Sequence, residues 1–406
     1  MIKKEISVIG LGYIGLPTAA LLCNNGYKVN GIDINHEVVN TVNNGSIHIL
    51  EPGLDEIVSE QVSSGRLKAF TEPQKADIYI ICVPTPLNND NDKQEPNIKF
   101  VLEAAENIST FLKAGDILIL ESTSPVGTTQ HIADTLFNKG VNLNDIHICY
   151  CPERVLPGKI IKELVENDRI IGGLTPESSR QAGDFYRTFI RGQVFETDAK
   201  TAEMCKLTEN CFRDLNIAFA NELSIICDSE GINVWELISL ANHHPRVNIL
   251  QPGIGVGGHC IAIDPWFVVS RHEQRAKCIK AARETNLQKT DHVIHKIVLE
   301  AERIERKIGT MPKIACFGLA FKPNIDDLRE SPAVNITKNL ISKGYRVMAV
   351  EPNLKVHKSF NLFTISEALT EPDLVVILVK HDQFLKSEVK EKIKQFPYLD
   401  FCGGLC

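Results

Sequence analysis

The sequence of 406 residues lacks several features that mark whole classes of protein. No apolar run approaches the roughly 18 residues that a membrane-spanning helix requires, so no membrane association is expected. No basic tract is present, and 44 basic against 51 acidic residues give a net charge of −7, so nucleic acid is not an expected partner. The opening residues, MIKKEISVIGLG, lead directly into a predicted strand, so no signal peptide is expected.

Disulfides and metal clusters are not expected either. The 12 cysteines are scattered along a long chain, which is typical of reduced thiols in the cytoplasm rather than of a disulfide framework. Cys149, Cys151, His259 and Cys260 lack the ligand spacing of known zinc sites, so no metal site is predicted. A hydrophobic content of 43% is ordinary for a globular protein. The length predicts roughly two to three domains.

The N-terminal region carries a pattern typical of dinucleotide binding. A β-branched apolar run leads into Gly10, Gly12 and Gly15, and a helical pattern follows. In such a turn the first glycine allows a tight bend, the second lets a pyrophosphate approach, and the third lets the helix pack on the sheet. Asp33 ends the second predicted strand, where a carboxylate binds ribose hydroxyls and repels the 2′-phosphate of NADP. The pattern predicts NAD binding, and the alternative is a tight turn without a ligand.

Polar clusters follow three further predicted strands at their carboxyl ends. They are VPTP (83–86), ESTSP (121–125) and CPER (151–154). Ligands of open α/β sheets bind at this edge, so the clusters are candidate site residues. The alternative is that proline, serine and threonine only build turns there.

From residue 198 to about 305 the sequence becomes helical. Its first part predicts one long helix that is closed by Gly231. Lys206, Asn210 and Arg213 are spaced i, i+4 and i+7, so they share one face of this helix. That face is either a solvated polar surface or part of a site. The length of the helix would also suit a dimer interface.

The C-terminal part repeats the order of elements of the N-terminal part. Ala320 and Lys322 stand where small turn residues would be needed, so a nucleotide-like ligand other than NAD is predicted here. Lys322 and Arg329 are candidates for binding phosphates. The alternative is a surface ion-pair cluster with Asp326 and Asp327. The repeated segments are KIACFGLA (313–320), GYRVMAVEPN (344–353) and PDLVVILVK (372–380).

The stretch PGIGVGGHCIAIDPWF (252–267) places Cys260 directly after a glycine-rich loop, with Asp264 four residues later. Glycines let a backbone approach a ligand closely, and a cysteine beside such a loop is a nucleophile if its thiolate is stabilised. The alternative is a glycine-rich turn with a buried structural cysteine.

Taken together, these motifs resemble the UDP-glucose/GDP-mannose dehydrogenase family of UDP-sugar 6-dehydrogenases. The loop GHCIA and the upstream HHPRVNILQPG resemble the branch that acts on UDP-N-acetyl-D-mannosamine. The motifs span nearly the whole sequence in the family's order: GLGYIGLP, VPTP, STSPVGT, CPERVLPG, EMCKLTEN, GVGGHC with AIDP, and FKPNIDDLRESP.

The resemblance implies an α/β fold of two Rossmann-like doubly wound domains joined by a long central helix. It places an NAD-binding domain over 1–197, a central helical dimerisation and active-site region over 198–305, and a UDP-sugar-binding domain over 306–406. A homodimer is expected, because in relatives the residue corresponding to Arg246 can come from the neighbouring subunit. A cytoplasmic location is expected from the scattered cysteines.

The resemblance also implies an NAD-dependent four-electron oxidation of the C6 alcohol of UDP-N-acetyl-D-mannosamine to the uronate, for surface polysaccharides such as enterobacterial common antigen. Cys260 would form a thiohemiacetal and then a thioester. Lys206 would transfer protons and stabilise an oxyanion. Asn210 would hydrogen-bond the reacting oxygen or a water, and Asp264 and Glu153 would assist the activation of water.

Two sets of binding residues follow from the resemblance. Within the cofactor set, Thr123 would lie near the nicotinamide and also counts as catalytic, and Arg329 would reach the NAD phosphates. The cofactor set is Gly10, Gly12, Tyr13, Ile14, Gly15, Asp33, Thr85, Thr123 and Arg329. The substrate set is Arg154, Val155, Lys206, Asn210, Arg213, His244, Arg246, Gly257 and Lys322.

Three alternatives remain open from the sequence. The same chemistry on UDP-GlcNAc, UDP-GalNAc or UDP-glucose is one, because one sequence does not show which pocket residues separate C2 epimers. A non-catalytic sensor of NAD or a nucleotide sugar is another, although such a protein would be expected to lose Cys260, Lys206 or Asp264, and all are present. A single-step β-hydroxyacid dehydrogenase is the third, and it needs neither the cysteine nor the second Rossmann-like unit.

Overall fold

The computed structural model describes residues 4–88 and 94–405, which contain twelve β-strands and fourteen α-helices. The chain divides into two compact units, Met1–Thr208 and Glu209–Cys406. We call them the first and the second unit. The three-part division at residues 197 and 305 stays a prediction.

The first unit is built on one eight-stranded sheet. Its order is β3-β2-β1-β4-β5-β6-β7-β8, and every neighbouring pair is parallel except β6 and β7. The first six strands have the order of dinucleotide-binding folds. The strands are β1 (Glu5–Ile9), β2 (Lys28–Ile32), β3 (Leu67–Phe70), β4 (Ile78–Ile81), β5 (Ile117–Leu120), β6 (His147–Tyr150), β7 (Arg169–Gly173) and β8 (Val194–Asp198). The helices are α1 (Gly15–Asn24), α2 (His36–Asn43), α3 (Leu54–Ser63), α4 (Lys99–Ile108), α5 (Thr128–Asn138), α6 (Ile160–Glu166) and α7 (Pro176–Tyr186).

Helices cover both faces of this sheet. The central strands β4 and β5 read IYII and ILIL, and all their residues are buried, as expected for parallel strands covered on both sides. On one face Leu22 of α1 and Val58 of α3 join the core, and on the other Val101 of α4 and Ile132 of α5 do so. The doubly wound architecture predicted for this part is confirmed.

The long helix α8 (Ala199–Glu230) directly follows β8 and continues past residue 208 into the second unit. Gly231 directly follows the last residue of the helix and has a φ of 68°, a backbone conformation that glycine adopts without strain. The predicted long central helix is therefore confirmed.

The second unit contains a parallel four-stranded sheet of order β10-β9-β11-β12. Ile297 and Leu340 cover one face of it, and Ala368 and Ile393 cover the other, so it is also doubly wound. Its strands are β9 (Lys313–Phe317), β10 (Arg346–Val350), β11 (Leu374–Ile377) and β12 (Tyr398–Asp400). Its further helices are α9 (Val234–Ala241), α10 (Asp264–Arg271), α11 (Lys277–Ile308), α12 (Pro332–Ser342), α13 (Ile365–Ala368) and α14 (Ser387–Ile393).

The internal repeat extends to single backbone bonds. Gly10 follows β1 and Gly318 follows β9, with φ angles of 92° and 93°. The amide of Gly10 donates to the carbonyl of Ile32 at 2.7 Å, and the amide of Gly318 donates to that of Val350 at 2.8 Å. Both turns therefore leave the sheet in the same way, and a side chain is disfavoured in both by the positive φ.

The two turns differ in the carboxylate beside them. Asp33 follows β2, and Glu351 follows β10 at the corresponding place. Glu351 is buried, and its Oε2 accepts from the amide of Leu319 at 2.8 Å and lies 3.0 Å from Nε2 of His381. His381 Nδ1 accepts from the amide of Asn324 at 2.9 Å, so Nε2 carries the proton and donates to Glu351. We call the second turn closed, because the carboxylate beside it is bonded to groups of the protein itself.

Residues 4–88 and 94–405 show no membrane-spanning helix, no disulfide and no metal-binding cluster. No helix in these ranges is long and apolar enough to cross a membrane. The cysteines in them form no disulfides. No group of three or more histidine, cysteine, aspartate or glutamate side chains there is arranged to hold a metal ion.

Candidate active site

The turn between β1 and α1 has open space where a pyrophosphate would lie. A β-carbon on Gly10 would stand 2.7 Å from the carbonyl oxygen of Cys82, and one on Gly15 would stand 1.7 Å from the carbonyl oxygen of Gly10. By contrast, no atom lies within 4 Å of the β-carbon position of Gly12. Packing therefore requires the first and third glycines, while the second leaves room beside the N-terminus of α1. This cradle fits the diphosphate of NAD.

Asp33 lies beside this cradle at the end of β2. Its Oδ2 accepts from the amide of Leu11 at 3.0 Å, and its Oδ1 accepts from the amide of Asn35 at 2.9 Å. The side chain is half-buried, so part of the carboxylate remains accessible to ribose hydroxyls. Tyr13 is exposed and Ile14 is half-buried in the turn itself, and their backbone contacts to the pyrophosphate stay a prediction.

The loops after β4 and β5 are joined at the carboxyl edge of the sheet. Thr85 Oγ1 donates to the carbonyl of Thr123 at 2.6 Å, and Ser122 Oγ donates to the carbonyl of Val83 at 2.7 Å. The two predicted cofactor residues of these loops are therefore neighbours at the edge where ligands of such sheets bind.

Glu121, the first residue of ESTSP, is a buried carboxylate that was not among the predicted site residues. It accepts from Tyr186 Oη at 2.6 Å and lies 3.4 Å from the Cys82 thiol. Burial is the main cause that raises its pKa above the usual range for glutamate. Its position directly after β5 was the only signal in the sequence.

Glu153 is held by two neighbours at the end of β6. Arg169 Nη1 donates to its Oε2 at 2.7 Å, and the amide of Arg154 donates to its Oε1 at 2.6 Å. The Glu153–Arg169 pair is almost fully buried, with exposed side-chain fractions of 7% and 2%. Arg154 also donates through Nη1 to the carbonyl of Asp168 at 3.3 Å, and the adjacent Val155 is half-buried. Both carboxylate oxygens of Glu153 are thus engaged, and its role in activating water stays a prediction.

Lys206 is half-buried on α8, within the first unit. One turn before it, Glu203 accepts from the amides of Gly127 and Thr129 at 2.6 and 2.8 Å. These bonds satisfy the N-terminus of α5 and fix the start of α8 against the STSPVGT loop. Asn210, one turn after Lys206, belongs to the second unit.

In the second unit the glycine-rich loop packs closely on the loop after β9. The amide of Gly258 donates to the carbonyl of Arg329 at 3.0 Å. A β-carbon on Gly257 would stand 2.6 Å from the carbonyl oxygen of Glu330, and one on Gly258 would stand 3.0 Å from the ring of Phe321. The glycines are therefore needed for this close approach.

Cys260 follows at the end of this loop and is half-buried. Its carbonyl accepts from the amides of Ile263 and Asp264 at 3.0 and 2.8 Å, which forms the turn into α10. Asp264 is buried, and Asn210 Nδ2 donates to its Oδ2 at 2.5 Å. The structure therefore brings three predicted catalytic residues together.

The cation Lys322 lies near this thiol, and Arg213 lies near Lys322. Burial is the main cause that lowers the pKa of Lys322, and the charge of Arg213 lowers it further, whereas Asp327 and Cys260 raise it. Arg213 and Cys260 are thus both close enough to Lys322 to act on its charge. Arg329 forms an ion pair with Asp327 at 2.6 Å, so the alternative of a surface ion pair describes these two residues.

His244 and Arg246 are exposed on the loop after α9. Asn242 closes this loop, because its Oδ1 accepts from the amide of Ile249 at 2.7 Å and its Nδ2 donates to the carbonyl of Ile249 at 3.0 Å. Within the loop, the amide of Arg246 donates to Nδ1 of His244 at 3.3 Å. The loop thus presents both predicted substrate residues in a fixed shape.

Family models match three parts of the chain. The NAD binding domain of the UDP-glucose/GDP-mannose dehydrogenase family matches residues 4–190, the central domain 200–288 and the UDP binding domain 315–403. The chain is 52% identical to a UDP-N-acetyl-D-mannosamine dehydrogenase of Campylobacter jejuni, with 97% of this chain and 99% of the relative covered. The chain belongs to the UDP-glucose/GDP-mannose dehydrogenase family. The predictions of this family, of an NAD-dependent dehydrogenase and of a domain for a UDP-linked ligand are confirmed.

Two further relatives extend the comparison. The dehydrogenase is 52% identical to an NDP-N-acetyl-D-galactosaminuronic acid dehydrogenase of Ralstonia nicotianae, with 94% of this chain and 92% of the relative covered. A solved UDP-D-ManNAc dehydrogenase of Pyrococcus horikoshii matches with a TM-score of 0.89 and 37% identity, over 99% of this chain and 96% of the other. The relatives share the fold but carry different sugar names, so percentage identity alone does not select the sugar.

The sequence reasoning missed a set of polar residues between α8 and α11 of the dehydrogenase. Asp214 and Arg283 form an ion pair at 2.9 Å and are almost fully buried. Asn221 Nδ2 donates to Asn286 Oδ1 at 2.8 Å in the same helix pair. Asn221 stands out in the sequence only as a polar residue of the long helix, and no signal singled out Asp214, Arg283 or Asn286, because a polar residue within a long helical pattern resembles one on a solvated face.

Proposed function

We propose that the dehydrogenase oxidises the C6 alcohol of UDP-N-acetyl-D-mannosamine to UDP-N-acetyl-D-mannosaminuronate in two NAD-dependent steps. It works in the cytoplasm, and its product supplies surface polysaccharides such as enterobacterial common antigen. One observation carries the proposal: a cysteine lies beside a buried Asn210–Asp264 pair and near the cation Lys322, in a chain that also has an NAD cradle. The Campylobacter and Pyrococcus relatives, which are named as UDP-N-acetyl-D-mannosamine and UDP-D-ManNAc dehydrogenases, support the choice of sugar.

The overall reaction converts one alcohol, one water and two NAD⁺ into one carboxylate, two NADH and three protons. The cradle of Gly10, Gly12 and Gly15 would hold NAD, which would supply the hydride acceptor for each step. Cys260 adds to the intermediate aldehyde, because the second hydride must leave from a tetrahedral carbon, and the resulting thioester is hydrolysed by water. The ammonium group of Lys322 stabilises the thiolate that adds.

The remaining catalytic roles follow the resemblance to the family. Lys206 takes the proton of the C6 hydroxyl, and Lys206 and Asn210 stabilise the oxyanions. Asp264, held by Asn210, assists the water that hydrolyses the thioester. We assign Glu153 to the same task and Thr123 to the nicotinamide side of the site.

For ligand binding we assign the cofactor and substrate sets as the sequence predicts them. We assign Lys322 and Arg213 to a UDP diphosphate, because the charge of Arg213 lowers the pKa of Lys322 and the two cations therefore lie near each other. Gly10, Gly12 and Gly15 hold the NAD diphosphate, and the residues 1–197, 198–305 and 306–406 form the NAD-binding, central and UDP-sugar-binding parts.

A row of exposed apolar side chains on α8 supports a homodimer. Phe212, Phe219 and Ile226 are spaced by seven residues, lie on one helix face and are 67%, 51% and 49% exposed. Phe219→Glu should move the sedimentation coefficient from dimer to monomer. Phe137→Glu, which changes a phenylalanine that is 68% exposed on α5, should not. A monomeric parent chain would contradict the homodimer.

A panel of UDP-sugars with NADH counted per sugar tests the reaction. We expect the highest kcat/KM for UDP-N-acetyl-D-mannosamine, with two NADH formed per sugar. One NADH per sugar, or no turnover of any sugar, would contradict the chemistry. The panel includes UDP-GalNAc because the Ralstonia relative is named for an N-acetyl-D-galactosaminuronic acid, and a preference for this sugar would change the substrate but keep the mechanism.

A further inference from the structure

The loop that carries Cys260 is held at its beginning by side chains of two long helices. The amide of Gly253 donates to Oδ1 of Asn221 on α8 at 2.8 Å. Thr290 Oγ1 on α11 donates to the carbonyl of Ile254 at 2.9 Å. Both side chains are buried, so water does not compete with these bonds.

The same helix pair holds the end of the loop. Arg283 Nη1 on α11 donates to the carbonyl of Ala262, two residues after Cys260, at 3.0 Å. Arg283 Nε lies 2.9 Å from Oδ2 of Asp214 on α8, and Asn286 Nδ2 donates to Oδ1 of Asp214 at 2.8 Å. The carboxylate is thus fixed by one neighbour and in turn orients the guanidinium group.

Stability alone is a poor reason for this ion pair. Asp214 and Arg283 are 0% and 1% exposed, and buried ion pairs are often replaced by apolar residues without loss of stability. Arg283 Nε, Arg283 Nη2 and Asp214 Oδ2 are buried without a hydrogen bond of good geometry in the described part of the chain, so Nε and Oδ2 interact by charge at 2.9 Å, and the unmade hydrogen bonds are a further energetic penalty. Apolar side chains could join α8 to α11, but only a directional donor can fix the carbonyl of Ala262.

We propose that Asp214 and Arg283 are positioning residues for Cys260. The carboxylate orients the guanidinium group, which fixes the carbonyl of Ala262 and with it the turn that presents the thiol beside Lys322. This inference rests on the proposed function of Cys260 as nucleophile. Displacing a reacting group by about 1 Å lowers a rate by about 100-fold, so a loosened turn should affect turnover strongly.

Two changes at the pair and one matched control test the inference. The double variant Asp214→Leu with Arg283→Met replaces the pair by apolar side chains, an exchange that buried sites tolerate. Arg283→Lys keeps the charge but loses the planar fork. The control is Lys289→Met. Lys289 lies on α11, is 3% exposed and donates to Ser224 Oγ on α8 at 2.7 Å, so its loss breaks a buried contact between the same helices outside the loop.

The first measurement separates kcat from KM. We expect both pair variants to lower kcat by about 100-fold, because the thiol leaves its reactive position. KM for NAD should stay unchanged, since the NAD cradle lies in the first unit. Lys289→Met should keep the parent kcat. An equal loss of kcat in Lys289→Met, or a rise in KM for NAD that accounts for the loss in the pair variants, would overturn the inference.

The second measurement needs no sugar and therefore separates this inference from the proposed substrate. Iodoacetamide labelling at neutral pH, followed by mass spectrometry, gives the rate at Cys260 relative to that at Cys278, an exposed thiol on α11. We expect this ratio to fall by about tenfold in the pair variants and to stay constant in Lys289→Met. A constant ratio in the pair variants would refute the positioning role. A fall in the ratio in a chain that turns over no UDP-sugar would support positioning and contradict the proposed function.

Discussion

Replacing Gly257 by alanine should displace the loop that carries the nucleophile. The added β-carbon would stand 2.6 Å from the carbonyl oxygen of Glu330, 2.8 Å from Cβ of Phe321 and 2.9 Å from Cδ of Pro332. Two of these atoms belong to the backbone or to a rigid ring, and the third lies next to the backbone, so a rotamer change cannot remove the overlap. The whole glycine-rich loop must retreat from the loop after β9.

The size of this retreat sets the expected effect. Non-bonded carbon atoms prefer separations of about 3.5–4.0 Å, so the two loops must separate by about 1 Å. Overpacking of this kind lowers the free energy of unfolding by about 1–3 kcal/mol. Cys260 lies three residues after Gly257 and moves with the loop, so kcat should fall by about 100-fold. A 100-fold fall in kcat corresponds to about 2.7 kcal/mol of activation free energy, similar in size to the expected loss of stability, so the folded fraction of the variant must be measured together with its rate.

Gly253→Ala is the matched control, because it adds the same methyl group to the same loop. The nearest atom to its β-carbon position is the carbonyl oxygen of Gly255 at 4.0 Å, and its φ is not in the left-handed region. Initial rates of NADH formation and urea unfolding of both variants and the parent give the comparison. If Gly257→Ala turns over as fast as Gly253→Ala, the close packing of the two loops does not position the thiol.

Three further predictions concern single residues. Burial lowers the pKa of Lys289 from 10.5 to about 8, so the buried positive charge reduces the free energy of unfolding. This reduction is largest below pH 8 and disappears as the pH approaches 10.5. Lys289→Met should therefore raise the free energy of unfolding by about 1–3 kcal/mol at pH 7 and by less near pH 10. If the urea midpoints of variant and parent differ by the same amount at both pH values, this explanation is wrong. Cys260→Ser should abolish formation of the uronate while NAD affinity measured by fluorescence is kept, and a serine variant that makes acid at the parent rate would exclude the thioester. Burial raises the pKa of Asp214 to about 6, although the charge of Arg283 opposes this shift. The folded state therefore keeps the proton of Asp214 to a higher pH than the unfolded chain does. The contribution of Asp214 to stability declines as the pH rises towards 6. Below pH 6 the neutral acid no longer orients Arg283, so kcat should fall there in the parent, and an equally steep fall in Asp214→Asn would show that another group titrates.

Local patterns accounted for much of the fold. The strand, glycine turn and helix around Gly10 are encoded within a short segment, as is the helix that Gly231 closes, so the sequence alone predicted them. The extension of the first sheet by β7 and β8 was not predicted. Strand pairing joins segments far apart in the chain, and β7 pairs antiparallel with β6 within an otherwise parallel sheet.

The sequence predicted which residues form the site, but it did not predict which of them are buried. Asn210 and Arg213 were predicted to share a helix face, but Asn210 is buried against Asp264 whereas Arg213 is exposed. Asp214 and Arg283 were missed, because their meaning depends on a contact between helices that one sequence does not show. Periodicity therefore indicates which residues line up, and only tertiary packing shows which of them are desolvated.

The closed turn of the second unit has a consequence for the number of NAD molecules that one chain binds. In a protein with two similar nucleotide-binding modules, the cofactor could bind to both modules and thereby block the binding of the substrate. Glu351 prevents this, because its two oxygens are already occupied by backbone amides, Asn353 and His381. None of its acceptor positions is left for an adenosine ribose. Calorimetric titration with NAD should therefore saturate at one molecule per chain, and a saturating concentration of UDP should leave that stoichiometry unchanged.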